Sequence, residues 1–160
     1  MAESVRSRLA RWRFNLFPAF RRTGGRITYI ADDWREVRVE LPLNRATRNY
    51  VGTIFGGSLY GAADGHIMVM LIKLLGPNYV VWDKAATIRF KKPGRTTLYT
   101  RFTLDEQEIT AIRELLDHEP KVDRVYQVDW MDHEGTVHAS LEKIIHIRRK
   151  SEPQRITEAR

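Results

Sequence analysis

The sequence contains no cysteine, and that absence excludes several kinds of chemistry at once. Disulfide bonds, thiolate metal sites and cysteine nucleophiles are ruled out, whereas the cellular compartment stays open. The chain also lacks a P-loop, a nucleophile elbow and a dinucleotide-binding fingerprint. Its five histidines are scattered along the chain, so neither a metal site nor a cofactor is expected.

Long apolar runs are missing too, since no uninterrupted stretch is long enough to span a bilayer. Internal repeats and low-complexity tracts are absent from the sequence as well. What the chain does have is a 42% content of hydrophobic residues, which excludes a disordered chain. Its 160 residues are enough to bury a core within one domain.

Positive charge is concentrated at the two ends of the chain. The net charge is +7, yet residues 27–141 carry 14 basic and 16 acidic groups. Residues 1–26 contain seven arginines and one glutamate, and residues 142–160 contain six basic and three acidic groups. The central part is therefore slightly acidic, and nucleic acid is not expected as its partner. The basic ends could still bind nucleic acid or anionic membranes. We favour this hypothesis least among the three functions considered for the chain.

The N-terminal segment is predicted to be a basic amphipathic helix with a linker that ends at residue 25. Its apolar residues recur at helical spacing, namely Val5, Leu9, Trp12, Leu16 and Phe20. Pro18 should end or kink this helix. An arginine-rich, acid-poor N-terminus is typical of organelle targeting peptides, and residues 1–22 also suit weak contact with a membrane surface. The commoner arrangement is an apolar stripe that packs on the domain, and we expect that arrangement.

The remaining chain is predicted to form strands around one helix. Alternation of Val37, Val39 and Leu41 with polar residues indicates a strand with one buried face. The segment Gly56–Leu75 has no polar face, so this helix must be buried on all sides. Predicted strands cover residues 26–30, 34–41, 79–81, 85–90, 98–104, 122–131 and 136–147, and a short stretch over 109–116 has helical character.

A helix that is buried on every side needs a sheet curled around it and a second subunit, because one sheet face covers only one side. Since strands and helices do not alternate, a parallel doubly wound sheet is not expected. The prediction is an α+β fold with a curled antiparallel sheet of five or six strands around one long buried helix. This domain is expected to cover residues 26–148, followed by a polar tail over residues 149–160.

The start of the buried helix carries the most informative residues. Gly56 and Gly57 open it, and the free N–H groups and partial positive charge there suit an anion or a developing oxyanion. Asp64 lies eight residues further on, within an otherwise apolar segment. A carboxylate there is costly unless it is paired, faces a cavity or is tuned for proton chemistry. From the residues alone, tight helix–strand packing by the glycines and a satisfied carboxylate at a subunit seam explain the pattern equally well.

The same segment resembles that of a known family. The run Asn49-x-x-Gly52-x-x-Phe55-Gly56-Gly57, followed by Asp64, resembles the Asn-x-x-Gly-x-x-His-Gly-Gly…Asp segment of hotdog-fold acyl-CoA thioesterases, in particular the phenylacetate-pathway type. The run Ile88-x-Phe90-x-x-Pro93 resembles the strand that follows the helix in those enzymes. The resemblance covers residues 26–148 and is closer still to a hotdog branch of unknown function with a basic N-terminal helix and a Phe-Gly-Gly motif. It implies a hotdog fold and a homodimer or dimer of dimers, with a site at the dimer interface that receives groups from both chains.

The resemblance also implies a role for each matching residue. Asp64 would be the general base or the nucleophile that delivers water to the thioester carbonyl. The N–H of Gly56 would polarise that carbonyl, and Asn49 would orient the substrate or the water. Asp83 is the best match to a further polar residue early in the following strand.

The sequence departs from the family motif at Phe55, because a phenyl ring cannot make the hydrogen bonds of the family's histidine. The oxyanion donor is a backbone group and survives this change, so the departure affects turnover more than acyl binding. Phe55 and Gly57 are predicted to contact the substrate. Asp64 and Asp83, as neighbouring carboxylates, would raise one pKa unless Lys84 compensates.

Three basic residues flank the turn after the motif strand and could bind the phosphates of coenzyme A or of a carrier-protein arm: Lys91, Lys92 and Arg95. A solvated turn is the commoner role of such residues. The leading functional hypothesis is hydrolysis of an acyl-CoA or acyl-carrier thioester in the cytoplasm, with organelle targeting left open. The alternative is a non-catalytic hotdog protein that binds acyl-CoA or lipid.

Overall fold

A computed structural model describes residues 3–150 of the chain. The chain begins with the helices α1 (Val5–Leu16) and α2 (Pro18–Arg22), followed by the strands β1 (Arg26–Ile30) and β2 (Glu36–Leu41). Next come the helices α3 (Gly56–Ala63) and α4 (His66–Leu75). The remaining elements are β3 (Tyr79–Phe90), β4 (Leu98–Thr103), α5 (Glu106–His118), β5 (Lys121–Met131) and β6 (Val137–Arg149).

The six strands form one sheet in the order β1-β2-β4-β5-β6-β3, and every neighbouring pair is antiparallel. The sheet is not closed, and β1 and β3 are its edges. As the alternation in β2 predicted, Val37, Val39 and Leu41 are buried, and they share one core with Leu59 of α3 and Met70 of α4. The expected α+β architecture, a six-stranded antiparallel sheet with a long central helix, is confirmed.

The central helix has one interruption that the sequence did not reveal. Asp64 leaves the helical conformation with φ −73° and ψ 144°, and Gly65 follows with φ +78°. A left-handed φ is costly for residues with a side chain, so a glycine at position 65 permits the break between α3 and α4. As a result, Asp64 lies at a break in the middle of the central helix, between α3 and α4.

By length and composition alone, Gly56–Leu75 also meets the criteria of a membrane-crossing helix. Half of that apolar window is buried inside the domain. Leu59, Ile67 and Leu71 of this segment belong to the hydrophobic core. Packing within the domain therefore accounts for the buried half of this window.

Two segments are longer than predicted. Residues 79–81 and 85–90 belong to the single strand β3, whose register shifts between Asp83, which is paired with Ile145, and Ala85, which is paired with Ile144. Such a shift accommodates one extra residue, Lys84, as a β-bulge. The helical stretch around residues 109–116 is part of α5, which starts earlier because the carboxylate of the preceding Asp105 caps its first turn.

Helix α1 docks on the domain with the face opposite to the predicted one. The apolar stripe is solvent-exposed, with exposed fractions of 72% for Val5, 57% for Leu9, 61% for Trp12 and 45% for Leu16. Ser7 is buried instead, and Phe14 packs against the core. The expectation that the stripe packs on the domain is therefore wrong, except that Phe20 in α2 is buried.

The side chain of Asn15 explains this orientation of α1. Its Oδ1 accepts a hydrogen bond from the N–H of Ile27 at 2.8 Å, and its Nδ2 donates to the carbonyl of Ile27 at 2.9 Å. These bonds satisfy backbone groups of the edge strand β1, which would otherwise be open to another strand. Asn15 lies about a quarter turn from the stripe, and Ser7 and Phe14 lie opposite it, so pairing Asn15 with β1 while Phe14 packs on the core leaves the stripe outside.

Most of the predicted C-terminal tail, residues 149–160, follows the last strand. Strand β6 continues through Arg149. Residues 151–160 of the predicted tail lie outside the described residues, and the domain boundaries at 25/26 and 148/149 stay predictions.

Candidate functional site

A buried lysine joins the two predicted carboxylates. Lys143 lies on β6, and its side chain is only 1% exposed because it faces the core. Its Nζ donates a hydrogen bond to Asp64 Oδ1 at 2.6 Å and lies 2.8 Å from Asp83 Oδ1. Asp83 Oδ1 receives no well-directed hydrogen bond, so its contact with Lys143 is an ion pair with a short distance and a poor angle.

The charge of Lys143 depends on these two partners. Burial by itself disfavours an ammonium group, but the hydrogen bond to Asp64 and the close negative charges of Asp64 and Asp83 outweigh burial and raise the pKa of Lys143 above its usual value. Lys143 is therefore a cation at neutral pH, and it is the group that compensates the two carboxylates. The expectation that Lys84 does so is wrong, because Lys84 is exposed at the bulge and pairs with Asp123.

Asp64 reaches a cleft through the break between α3 and α4. Its side chain is 45% exposed, and the cleft has a volume of about 350 Å³. The walls are mostly apolar and come from α1, the α1–α2 junction, α2 and α4: Phe14, Phe17, Phe20, Met68 and Val69. A carboxylate in such a position can accept a proton from a water molecule that lies beside an apolar ligand.

A second cleft, of about 410 Å³, contains the start of α3. Gly56, Asn49, Lys91 and Lys92 line it together. The first N–H groups of a helix have no acceptor within the helix and attract a negatively charged oxygen. A Cβ on Gly56 would lie 2.8 Å from the ring of Phe90, so the absence of a side chain there permits this close approach.

The side chain of Asn49 shapes the loop that leads into α3. Its Oδ1 accepts hydrogen bonds from the N–H groups of Val51 at 3.1 Å and Thr53 at 3.0 Å. Its Nδ2 donates to Thr53 Oγ1 at 2.9 Å. An amide nitrogen carries two hydrogens, so one remains to contact a substrate or water.

Three other predicted residues, Phe55, Gly57 and Arg95, do not line this second cleft. Phe55 is 56% exposed, and its ring lies against Gly57, where any Cβ would collide with it. Arg95 is exposed and does not line the cleft with Lys91 and Lys92. The exposed ring of Phe55 therefore covers Gly57, the second residue of α3, from the solvent side.

Within one chain, the predicted site residues form two separate groups. Asp64 and Asp83 meet through Lys143, and Asn49 and Gly56 meet in the second cleft. Asp64 and Gly56 line different clefts.

Sequence reasoning missed Lys143, although a signal was present. In the last strand, Ala139, Leu141, Ile145 and Ile147 recur with a period of two, which places residue 143 on the same face. A lysine is almost never fully buried unless it is paired. The apolar alternation in β6 therefore indicates an acidic partner in the core, and Asp64 is such a residue.

His66, close to Asp64 in the chain, lies inside the core. Its ring packs against those of Phe20 and Phe102, with centroid distances of 5.3 Å and 4.8 Å. Its Nε2–H donates a hydrogen bond to the carbonyl of Ala62 at 3.0 Å. Burial lowers the pKa of His66 to about 4, so the ring is neutral at neutral pH.

This buried histidine predicts a pH dependence of stability. Below about pH 6.5 the unfolded chain protonates His66 and the folded chain does not, so the free energy of unfolding should fall until about pH 4, by about 3 kcal/mol. The variant His66→Gln keeps a donor for Ala62 and cannot titrate. Urea unfolding at pH 7 and pH 4 should therefore show that the wild type loses about 3 kcal/mol relative to His66→Gln. A difference that does not change with pH would contradict a buried neutral histidine.

Comparison with known proteins shows the family to which the chain belongs. A family model described as "Domain of unknown function (DUF4442)" matches residues 6–147. The chain belongs to the DUF4442 family. No curated protein matches it.

Solved structures are similar to this DUF4442 chain at low sequence identity. A Pseudomonas aeruginosa protein of unknown function, described as a probable thioesterase, is 21% identical with a TM-score of 0.77, over 89% of this chain and 95% of that one. A thioesterase from Haemophilus influenzae is 14% identical with a TM-score of 0.64, over 89% and 90%. The PaaI protein of the E. coli phenylacetic acid degradation operon is 17% identical with a TM-score of 0.60, over 89% and 91%. These likenesses show the fold, and the expected hotdog fold is confirmed.

Proposed function

We propose that this DUF4442 protein hydrolyses acyl thioesters and that Asp64 is the base that activates water. The observation that carries the proposal is the position of Asp64, whose carboxylate is anchored by the buried Lys143 and opens into an apolar cleft. The solved structures of similar fold that are named as thioesterases support the reaction class. The motif spacing from Asn49 to Asp64 supports it independently.

The reaction needs one attack by water and two proton transfers. Asp64 takes a proton from water while the water oxygen attacks the thioester carbonyl carbon. The carbonyl oxygen becomes an oxyanion, which the free N–H of Gly56 stabilises. The carbon–sulfur bond then breaks, and the leaving thiolate takes up the proton from Asp64, which yields the free acid and the thiol. Because Lys143 occupies Oδ1 of Asp64, the second carboxylate oxygen is the one available to water.

The proposal includes a homodimer, since Asp64 and Gly56 line different clefts of one chain. Strand β3 is suited to join two chains, because it is a sheet edge of 12 residues and none of them is buried. Trp82 and Phe90 on this strand are 42% and 59% exposed. A long exposed edge pairs readily with another strand. In a pair joined through β3, each site would take Asp64 from one chain and Gly56 from the other.

The mass in solution tests this dimer. Sedimentation equilibrium at micromolar concentration should give twice or four times the chain mass of 18.7 kDa. Hydrogen exchange of β3 should also be slow, because its outer N–H groups would be paired in the dimer. A particle of 18.7 kDa with rapid exchange throughout β3 would contradict a site shared by two chains.

The second cleft offers a place for the phosphates of coenzyme A or of an acyl-carrier arm. The N–H groups of Lys91 and Lys92 already donate to the carbonyl of His138, at 2.8 Å and 3.0 Å. Their ammonium groups are therefore the donors left for a phosphate. Arg95 lies outside this cleft, so we assign it no contact with the substrate.

An acyl-CoA panel tests the proposed function. Thermal shift measures binding for each acyl chain, and a thiol-trapping assay measures release of coenzyme A in the same set. The proposal predicts that at least one acyl-CoA both raises the Tm and releases thiol over many turnovers. Binding without release would support the second candidate, a non-catalytic acyl-CoA or lipid carrier, which the exposed Phe55 at the motif histidine position favours.

A further inference from the structure

The outer face of α1 is an apolar stripe that no described residue covers. Val5, Leu9, Trp12 and Leu16 are between 45% and 72% exposed. On a helical projection their side chains fall within about 60° of one another. Phe17, which is 57% exposed, follows the end of α1 and lies outside this row. Single exposed apolar residues are normal on a protein surface, but a continuous row of four marks an interaction site.

Arginines border the stripe on both sides. On the same projection Arg6 and Arg13 lie on one flank and Arg8 lies on the other. All three are exposed, and none forms an ion pair within residues 3–150. Arg21 and Arg22 continue the positive border along α2.

The acidic residue of this segment does not neutralise that border. Glu3 accepts two hydrogen bonds from Arg11, at 2.8 Å and 3.0 Å, on the side of α1 away from the stripe. A partner that covers the stripe must therefore bring negative charge of its own. A second copy of the same face would bring more arginines, and like charges across a contact repel.

We propose that α1 binds an anionic lipid bilayer as a helix in the plane of the membrane surface. The stripe would enter the boundary between headgroups and acyl chains, and the bordering arginines would contact lipid phosphates. An apolar face with a tryptophan and a basic border is typical of such helices. Arginine side chains are long enough to reach the headgroups while their stems stay at the apolar level. Because Asn15 and Phe14 hold the inner face of α1, binding needs no change of fold.

The cleft that contains Asp64 begins next to the C-terminal end of the stripe. Phe17, which directly follows Leu16 of the stripe, lines that cleft. A bound α1 would therefore bring the mouth of the cleft to the bilayer. Membrane binding itself does not depend on the hydrolysis of any thioester.

The test is co-sedimentation of the 160-residue chain with vesicles of phosphatidylcholine, either pure or mixed with phosphatidylserine. We expect binding to the mixed vesicles that weakens as salt is added, and little binding to the neutral ones. The variant Leu9→Gln/Trp12→Gln should lower the partition coefficient at least about tenfold. Arg6→Gln/Arg13→Gln should lower it about 25-fold, because one arginine near an anionic surface contributes about fivefold.

A matched control uses apolar residues exposed elsewhere on the domain. Leu115→Gln/Val125→Gln changes two side chains that are 39% and 58% exposed, and it should bind vesicles as the wild type does. No binding to phosphatidylserine vesicles at low salt, or equal binding by the α1 variants, would overturn the proposal. So would a Leu9→Gln/Trp12→Gln variant that changes only the oligomeric mass, because the stripe would then be a contact between copies. Circular dichroism verifies that each variant is folded.

Discussion

Replacing Asp64 with asparagine is expected to lower kcat for thioester hydrolysis by on the order of 10²–10⁴-fold, the usual contribution of a positioned base. Asparagine has nearly the same shape and can still accept the hydrogen bond from Lys143. It cannot take a proton from water, so the chemical step should fail while acyl-CoA binding persists. Thiol release measures the rate, and the thermal shift with the same acyl-CoA measures binding.

The matched control is Asp117→Asn, the same chemical change at an exposed position where the carboxylate pairs with Arg149. This variant should hydrolyse at the wild-type rate. If Asp64→Asn is as active as Asp117→Asn, Asp64 is not the base. If both kcat and binding disappear together, the defect lies in the structure of the cleft rather than in proton transfer.

Replacing Lys143 with methionine should be the most destabilising single change at the site. Methionine is unbranched and similar in length, so it fills the same space but leaves Asp64 and Asp83 without their cation. Removing one partner of a fully buried pair costs about 3–5 kcal/mol. Since Asp64 is 45% and Asp83 23% exposed, we expect a smaller loss of about 2–3 kcal/mol in urea unfolding.

Two further variants separate charge from packing. Lys143→Met combined with Asp64→Asn and Asp83→Asn should recover a large part of the lost stability, because no uncompensated carboxylate remains. Lys84→Met removes the partner of Asp123 on the surface, and it should cost less than about 1 kcal/mol. A triple variant as unstable as Lys143→Met alone would mean that the loss comes from packing.

Much of the fold follows from residue periodicity. The alternation in β2 and the unbroken apolar composition of Gly56–Leu75 were sufficient to predict a sheet wrapped around a buried helix. The motif from Asn49 to Asp64 placed this helix in the hotdog fold. These signals lie in short stretches of sequence, because the burial of one face of a strand or helix sets the spacing of its apolar residues.

The missing parts depend on tertiary contacts. The break at Asp64 and Gly65 is invisible to periodicity, because an isolated glycine is tolerated within a helix. The carboxylate at the break is bound by Lys143, 79 residues further along the chain. The predicted orientation of α1 was also wrong because it depends on contacts that are not visible in the sequence. Two hydrogen bonds between Asn15 and Ile27 help to hold the observed orientation.

The assembly of the site was also beyond the reach of one sequence. Asn49, Gly56 and Asp64 are close in the chain, and their spacing suggested a single cluster. The fold places Asn49 and Gly56 in one cleft and Asp64 in another. In the proposed dimer, a second chain joined at an edge such as β3 brings the two groups to one thioester.

The most direct test of the central claim is a product balance in ¹⁸O-labelled water. The protein is incubated with the acyl-CoA that gives the largest thermal shift, and acid and coenzyme A are quantified by mass spectrometry. Hydrolysis predicts equal amounts of both products, in excess of the protein, with ¹⁸O in the acid and no turnover in Asp64→Asn. Recovery of intact acyl-CoA from a saturated, folded protein would contradict it.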